Sequence, residues 1–279
     1  MVLLCYFKYT MRGLSIGSLS RKRFSKVLRE SGETIVPQEV SKILGMTKQS
    51  SSLLLSYWNK QGWVRRVQRG LYIPIPLEAD SRDISVEDPS LVAMRLFSPC
   101  YIGGWSATGY WDMTEQLFNT VLVMTVKRPN NRNPIIDGMK FKLKSVSKDK
   151  LFGLKIVWRG QSKIKVSDPS RTVADMLMDP QLGGGIRPVR DVFQNYLMSE
   201  DRDIKLLIRY CRRLKNGTVF KRLGLLLEMD APEEKKAIKI CKDNLSQGYS
   251  KLSSVLKCPK IITKWKLYVP KSWVEDFKE

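Results

Sequence analysis

The sequence TKQSSSLLLSYWNKQ, residues 47–61, carries the clearest structural signals in the N-terminal part of the chain. Thr47 is a good N-cap, and Leu54, Leu55 and Trp58 recur at the spacing that packs one helical face against a core. The stretch therefore predicts an amphipathic helix. Its other face is polar and comprises Lys48, Gln49, Ser52, Ser56 and Asn59.

A second helix is predicted just before this one. Pro37 suits its first turn, and Gly45 can end it in the left-handed conformation. Val40, Ile43 and Leu44 between them are apolar and would face a core. Two helices joined by a tight glycine turn indicate a helix-turn-helix.

A β-hairpin is predicted directly after these helices. Residues 63–67 and 71–75 are β-prone, and Gly70 between them can take the positive φ of a hairpin loop. A guanidinium at such a tip can pair with a phosphate or enter a minor groove. Three arginines lie on or near this hairpin: Arg65, Arg66 and Arg69.

Together with a first helix at residues 20–29, these elements predict a winged helix-turn-helix domain over residues 20–76. In such a domain the second helix of the motif enters the major groove, and the wing holds the phosphate backbone. A small helical domain with an ordinary basic surface is the alternative. The predicted DNA contacts are the three hairpin arginines and Thr47, Lys48, Gln49, Ser51 and Ser52.

The net charge is strongly positive along the whole chain of 279 residues: 49 Lys and Arg against 27 Asp and Glu give +22. Residues 1–80 hold 13 basic and 5 acidic residues, a net of +8, and residues 81–279 hold 36 and 22, a net of +14. Because both parts are basic, the second is also expected to meet a polyanion, unless its charge only keeps the protein soluble. The candidate residues for that surface are Lys127, Arg128, Arg132, Arg159, Lys163, Arg187, Lys221 and Arg222.

The cysteine and histidine content limits the kinds of metal and catalytic site that the chain can form. The five cysteines are scattered without a CxxC pair, which argues against a zinc site and favours the reducing cytoplasm. The absence of histidine excludes His-dependent triads and Cys-His nucleophiles. No apolar run approaches the length of a membrane span. The sequence therefore predicts no metal, no cofactor and no membrane partner.

Two segments are predicted to lie outside the folded domains. Residues 1–10 are apolar, but the basic residues follow that run instead of preceding it, so a signal peptide is not favoured. We expect translation to start at Met11 rather than Met1, and residues 1–19 to be a disordered extension. Residues 77–88 are acidic, lack apolar periodicity and predict a linker.

Residues 89–279 are predicted to form a larger C-terminal domain with strands early and helices late. Asp88-Pro89 and Asp168-Pro169 each start a helix, with Asp as N-cap and Pro in the first turn. The order of elements predicts a mixed α/β domain of the α+β type. Strands are expected at 120–126, 139–143, 154–157 and 265–269, and further helices at 188–198, 204–214, 219–227 and 232–244.

Three local patterns in this domain favour a structural role. Gly103-Gly104-Trp105 and Gly109-Tyr110-Trp111 pair glycines with large aromatic residues, which favours core packing. Asp175 is expected to pair with Arg171 at the i, i+4 spacing. Residues 183–185 precede a helix and could hold a phosphate, but no Walker-type Lys-Ser/Thr follows and a plain flexible loop is favoured.

A combination of motifs carries a family resemblance. They are YIGGWSATGYWDMTEQLFN at 101–119, VWRGQ at 157–161, SDPSRTVADMLMDP at 167–180, GGGIR at 183–187, NYL at 195–197 and NGTVFKRLGLL at 216–226. Together they resemble the AbiEi family, the antitoxins of type IV toxin-antitoxin systems first named from phage abortive infection. The likeness covers roughly residues 20–230, and several motifs together are more specific than any one.

The resemblance implies a function in two parts. An N-terminal winged helix would repress the chain's own operon by binding double-stranded DNA at inverted repeats in the promoter. The C-terminal domain would counter an AbiEii-like nucleotidyltransferase toxin, without necessarily forming a stable complex. The RNA on which such a toxin acts is a further candidate partner, and the resemblance implies no enzyme activity of the chain itself.

Two other functions remain open. One is a winged-helix transcription factor whose second domain senses a ligand. The other is a DNA-targeted, metal-dependent nuclease, which needs a carboxylate cluster ending in an Asp or Glu two residues before a Lys on a strand. Asp137 precedes Lys140 by three residues, so the nuclease pattern is incomplete.

Overall fold

The computed structural model describes residues 18–32, 34–75, 88–159 and 162–278. The chain divides into two compact units. The first unit is Met1–Arg95 with Ile135–Met139 and Trp158–Lys163, and the second is Leu96–Pro134, Lys140–Val157 and Ile164–Glu279.

Residues 1–17 and 76–87 lie outside the described residues, and with them most of the predicted extension and linker. The described chain begins in helix α1, Ser18–Ser31. Ser18 and Leu19 therefore belong to a helix and not to the predicted extension. The proposed domain boundaries stay predictions.

The elements predicted around residues 47–61 are confirmed. Pro37 lies in the first turn of its helix, which ends at Gly45 in the left-handed conformation. The Thr47 side chain caps the next helix by accepting a hydrogen bond from the backbone N–H of Ser50. The two strands pair antiparallel, and Gly70 in their loop has φ +80°. These elements are α2 (Pro37–Leu44), α3 (Lys48–Lys60), β1 (Val64–Gln68) and β2 (Leu71–Pro74).

Three aromatic rings form the centre of the first unit's core. Phe24 of α1 lies 5.0 Å from Trp58 of α3 and 5.1 Å from Trp63, ring centroid to centroid. Ile35 and Tyr72 exchange backbone hydrogen bonds of 2.7 and 2.9 Å, which attach the chain before α2 to β2. Buried Val27, Val40, Leu55 and Val64 complete the core. The apolar face predicted for α3 is thus the face that packs inward.

The rest of the described chain contains both helices and strands, which confirms the predicted mixed α/β character. Its helices are α4 (Pro89–Phe97), α5 (Gly104–Thr108), α6 (Pro169–Met178), α7 (Ile186–Met198), α8 (Ile204–Arg213), α9 (Gly217–Asp230), α10 (Lys235–Asp243) and α11 (Lys271–Lys278). Its strands are β3 (Cys100–Ile102), β4 (Thr120–Thr125), β5 (Ile135–Ile136), β6 (Met139–Ser145), β7 (Leu154–Arg159), β8 (Ser162–Ser167), β9 (Ser250–Lys251), β10 (Lys260–Ile262) and β11 (Leu267–Val269).

The strands form two sheets besides the hairpin. The larger has the order β5-β6-β4-β3-β8-β7, with β3 antiparallel to β4 and parallel to β8. The smaller has the order β10-β11-β9. The early strands and late helices agree with the prediction. The sequence interpretation missed β3, β5, β8, β9, β10, α5 and α11. It also placed the start of α10 at Pro232, which lies in a turn instead.

Helix α6 is buried over nearly its whole length, and a network of charged and polar groups fixes it. Asp168 caps its first turn, and Arg171 pairs with Asp175 at 2.9 Å with both side chains fully buried, as the spacing predicted. The guanidinium also donates to the Tyr101 hydroxyl at 2.9 Å and to the Phe152 carbonyl at 3.1 Å. The Tyr101 hydroxyl in turn donates to Asp175 at 2.8 Å. Strand β3 is thereby joined to α6.

None of the helices in the described ranges combines the length and the apolar character that crossing a bilayer requires.

Candidate nucleic-acid interface

Helix α3 presents one continuous exposed face to solvent. Leu53 is 68% exposed and Tyr57 47% exposed, although both are large hydrophobic side chains. They lie four residues apart, so they occupy the same face as Gln49 and Lys60, which are also exposed. Sequence reasoning assigned the polar residues to this face but missed Leu53 and Tyr57. The uninterrupted spacing of four from Gln49 through Tyr57 is the signal that would have found them.

The hydroxyl groups at the start of α3 are largely engaged within the helix. The Thr47 hydroxyl caps the helix, and the Ser52 hydroxyl donates to the Lys48 carbonyl at 3.0 Å. Lys48 and Gln49 are exposed beside them. The N-terminal turn of α3 therefore offers two long, exposed polar side chains and a rigid cap.

The prediction that Ser51 contacts DNA was wrong. Ser51 is fully buried, and its hydroxyl donates to the Thr47 carbonyl at 3.0 Å. It precedes Leu55 by four residues and Trp58 by seven, which places it on the buried face of the helix. A small polar residue in a run of three serines gave no sign of this, because its burial depends on where the helix packs.

The hairpin is held against α3 by a side chain of that helix. The Asn59 side-chain oxygen accepts a hydrogen bond from the backbone N–H of Arg66 at 2.9 Å. The backbone N–H of Trp63 also donates to the Trp58 carbonyl at 3.0 Å. Arg66 and Arg69 are exposed on the hairpin. The backbone of the hairpin that carries these two arginines is therefore held against α3 by specific bonds.

Arg65 is separated from the other two hairpin arginines. Its guanidinium lies 2.6 Å from the Asp137 carboxylate within the first unit, and its side chain is only 25% exposed. Successive residues of a strand point to opposite faces, so Arg65 and Arg66 point apart. Asp137 therefore competes with any phosphate for this guanidinium.

Helix α1 adds positive charge to the first unit that sequence reasoning did not assign. Lys26 is exposed, and its ammonium donates to the carbonyl of Ile43 near the end of α2. The run RKR at 21–23 was the available signal. The exposed basic residues of this helix are Arg21, Lys22, Arg23, Lys26 and Arg29.

The candidate polyanion-binding residues of the second part lie on several elements. Lys127, Arg128 and Arg132 are exposed between β4 and β5, where the Lys127 ammonium donates to the Leu96 carbonyl at 2.8 Å. Arg187 is exposed on the first turn of α7. Arg159 and Lys163 are exposed on β7 and β8, where Arg159 pairs with Asp88 and Lys163 lies over the Trp158 ring.

Lys221 and Arg222 do not belong to such a surface, and their prediction was wrong. Lys221 is fully buried and donates to the Gly248 carbonyl at 2.6 Å and the Ser250 hydroxyl at 3.1 Å. Arg222 is 8% exposed and donates to the last carbonyls of α6, Leu177 and Met178, and to that of Lys251. Burial lowers the pKa of Lys221, and it lowers that of Arg222 to about 10. Both residues connect α9 to its neighbours.

The first glycine-aromatic motif, residues 103–105, is buried as predicted, whereas Tyr110 and Trp111 of the second are only half-buried. Trp105 is 9% exposed and its indole N–H donates to the Thr120 carbonyl at 2.8 Å, while Gly109 is exposed. Gly183 belongs to a short 3-10 turn and packs against Val189, so the predicted loop before α7 is an ordered turn. Within the described ranges, no group of three or more Cys, Asp or Glu side chains is placed to hold a metal ion.

In comparisons with known proteins, no family model matches the chain and no curated protein matches it significantly. The function must therefore be argued from the surface of α3, the hairpin and the motifs around α6.

Proposed function

We propose that the chain is a sequence-specific DNA-binding protein whose first unit is a winged helix-turn-helix. Helix α3 would be the recognition helix and the β1–β2 hairpin the wing. The observation that carries this proposal is the hydrogen bond from the Arg66 backbone to Asn59, which holds a hairpin with two exposed arginines against a helix with an exposed face. A helix in the major groove with a basic hairpin on the flanking backbone is a common mode of docking to DNA.

The exposed face of α3 carries side chains suited to reading bases. Gln49 can form paired hydrogen bonds with an adenine edge, and Lys48 can donate to guanine. Leu53, which is 68% exposed, is suited to contact a thymine methyl group. Arg66 and Arg69 would contact phosphates, which supplies affinity and orientation without sequence preference.

We propose further that the whole chain is an antitoxin of the AbiEi type, which represses its own operon and counters a nucleotidyltransferase toxin. The residues that carry the resemblance are in contact with one another. Arg171 and Asp175 contact Tyr101, and the Trp111 indole donates to the Ser167 carbonyl at 2.7 Å. These contacts support a structural role for the motifs. We therefore assign the proposed action on the toxin to exposed residues of the second unit.

The proposed function does not include catalysis. Asp137, the carboxylate nearest to a nuclease-like pattern, is paired with Arg65 and lies in the turn between β5 and β6. The ligand-sensing transcription factor remains the alternative. A nucleotidyltransferase gene directly downstream would favour the antitoxin over that alternative.

Arg69→Ala is expected to weaken binding to all DNA sequences alike and to reduce the salt dependence of log K by about one unit, because one phosphate contact is lost. Titrations of promoter DNA and unrelated duplex DNA at several salt concentrations measure both effects. Arg69→Lys keeps the charge and serves as the matched control, with an unchanged salt slope. Unchanged affinity and slope for Arg69→Ala would show that the hairpin is not a wing.

Gln49→Ala is expected to change sequence preference and not the salt dependence of binding. It removes a base contact of about 1–3 kcal/mol and leaves the phosphate contacts intact, so preference between sequences relaxes while the salt slope stays the same. Selection of bound sequences from a random pool measures the change at single base pairs. An identical consensus for the variant and the wild type would remove Gln49 from the base-reading surface.

The antitoxin proposal is tested by separating repression from rescue in the full-length chain. Arg66→Ala/Arg69→Ala should derepress the promoter, because these residues hold DNA, and should still rescue growth from the neighbouring toxin gene. A promoter fusion and a growth assay in the same cells report the two activities. If the wild type represses but does not rescue, the antitoxin role fails while the DNA-binding role stands.

A further inference from the structure

The small sheet β10-β11-β9 has one buried and one exposed face. Leu252, Ile262, Leu267 and Val269 are buried in the core of the second unit, together with Trp265. In a sheet with one solvated face, residues that alternate with such a buried set are usually polar. The exposed face here departs from that rule.

Hydrophobic and basic side chains form a row across the exposed face. Ile261 of β10 is paired with Tyr268 of β11, and Tyr268 is paired with Lys251 of β9. Ile261 is 49% exposed and Tyr268 36% exposed. The ring of Tyr249, just before β9, lies 5.6 Å from that of Tyr268 and is 45% exposed. Two tyrosine rings and one aliphatic side chain therefore lie together in solvent.

The segment that forms this face is basic. Residues 244–274 contain six lysines and no Asp or Glu. Lys264 is paired with Glu228 of α9, so that one charge is neutralised locally. Lys251 lies on the face itself, because it is paired with Tyr268. Lys257 is exposed between β9 and β10, and Lys260 is exposed on the opposite side of β10 from Ile261. The face thus combines exposed aromatic rings with an exposed lysine, within a basic segment of the chain.

We propose that this face binds a single-stranded polynucleotide, with Tyr249 and Tyr268 stacking on bases and the lysines contacting phosphates. Aromatic rings on an open sheet surface stack with unpaired bases, and a surrounding basic groove follows the backbone. A duplex could not stack on the tyrosine rings, because the faces of its bases are covered by neighbouring bases. The positive charge of the lysines complements a phosphate backbone. A single-stranded polynucleotide therefore matches both the exposed rings and the positive charge.

This inference does not depend on the proposed DNA-binding function. The face lies in the second unit, whereas α3 and the hairpin belong to the first. Duplex and single-stranded probes therefore test the two surfaces separately. If one of the two proposed surfaces fails its test, the proposal for the other surface is unaffected.

The test measures binding of the full-length chain to three labelled probes by fluorescence anisotropy. The probes are an unstructured RNA of about 12 nucleotides, which is within the usual span of a single-strand site, the DNA strand of the same sequence, and the corresponding duplex. Tyr249→Ala/Tyr268→Ala should weaken binding to both single strands by about tenfold or more. Its affinity for the duplex should not change. Tighter binding of RNA than of DNA would identify RNA as the ligand, and equal binding would define a general single-strand site.

Matched variants control for folding and for charge. Tyr249→Phe/Tyr268→Phe keeps both rings and should bind as the wild type does, while Arg66→Ala/Arg69→Ala should lose duplex binding only. Lys251→Glu on the face should weaken single-strand binding more than Lys205→Glu, an exposed lysine on α8. Thermal unfolding verifies that each variant is folded. Wild-type affinity of the folded alanine variant for single strands, or no single-strand binding by the wild type, overturns the proposal.

Discussion

Replacing Arg171 by Met is expected to lower the free energy of unfolding by about 3–5 kcal/mol, because it leaves the Asp175 carboxylate buried without its counter-charge. Both side chains are fully buried, and among the described residues the Tyr101 hydroxyl is the side-chain donor that Asp175 keeps after the change. Methionine has a similar volume, so the loss reports the charge more than a cavity. Denaturation in urea measures it.

Two further variants separate the charge effect from general sensitivity. Arg171→Met/Asp175→Leu removes both charges and should recover much of the lost stability. Lys144→Met breaks the Lys144–Asp179 ion pair, whose lysine is 46% exposed, and should cost about 1 kcal/mol or less. If Arg171→Met and Lys144→Met lost equal amounts of unfolding free energy, burial would not be the reason for the large effect expected at Arg171.

The loss of stability in Arg171→Met is also expected to depend on pH. Burial raises the pKa of Asp175, and Arg171 acts in the opposite direction. A carboxyl whose pKa is higher in the folded than in the unfolded state binds its proton more tightly when folded, so its contribution to stability falls as pH rises through the raised pKa. Without Arg171 the pKa rises further. The loss caused by Arg171→Met should therefore be smaller at about pH 5 than at about pH 8.

Replacing Gly104 by Ala is expected to destabilise the protein by about 2–6 kcal/mol, the sum of backbone strain and overpacking. Gly104 has φ +51°, and a Cβ there would lie 2.2 Å from the Leu182 carbonyl oxygen and 2.4 Å from the Leu122 side chain. The carbonyl oxygen belongs to the backbone and cannot rotate away. The melting temperature and the urea midpoint report the loss.

Gly109→Ala is the matched control from the same segment. Gly109 has φ −68°, which alanine adopts freely, and a Cβ there would meet nothing within 4 Å. The change should alter the unfolding free energy by about 0.5 kcal/mol or less. Wild-type stability of Gly104→Ala would show that the chain around α5 can move to accept a methyl group.

The fold of the first unit was predictable because its signals are local. Thr47, Pro37 and Gly70 act through their own backbone geometry or a hydrogen bond within three residues, so each marks a boundary wherever the chain later packs. The mixed α/β character of the rest followed from the same kind of signal, such as the Asp168 cap. Strand β3 gave no such signal, since three residues are too short to show a period.

The errors in the candidate site came from burial, which depends on distant partners. Lys221 and Arg222 were taken as surface charges, yet their acceptors lie about 27–45 residues away in the sequence. The apolar run around them in α9 was a warning, because a helix that is hydrophobic on all sides is buried. The exposed row on β10 and β11 was missed for the converse reason. Ile261 and Tyr268 look like core residues until the strand register is known.

The ring of Trp265 fits against Gly224 of α9, where a Cβ would lie 2.0 Å from it, so the last part of the chain completes the core that α6 begins. During synthesis, Trp265 follows Gly224 by about 40 residues, or roughly 2–8 seconds on the ribosome. For that interval the part of α9 around Gly224 lacks the indole ring that covers it in the folded chain. A nascent second unit is therefore open to chaperones and proteases until its final strands emerge.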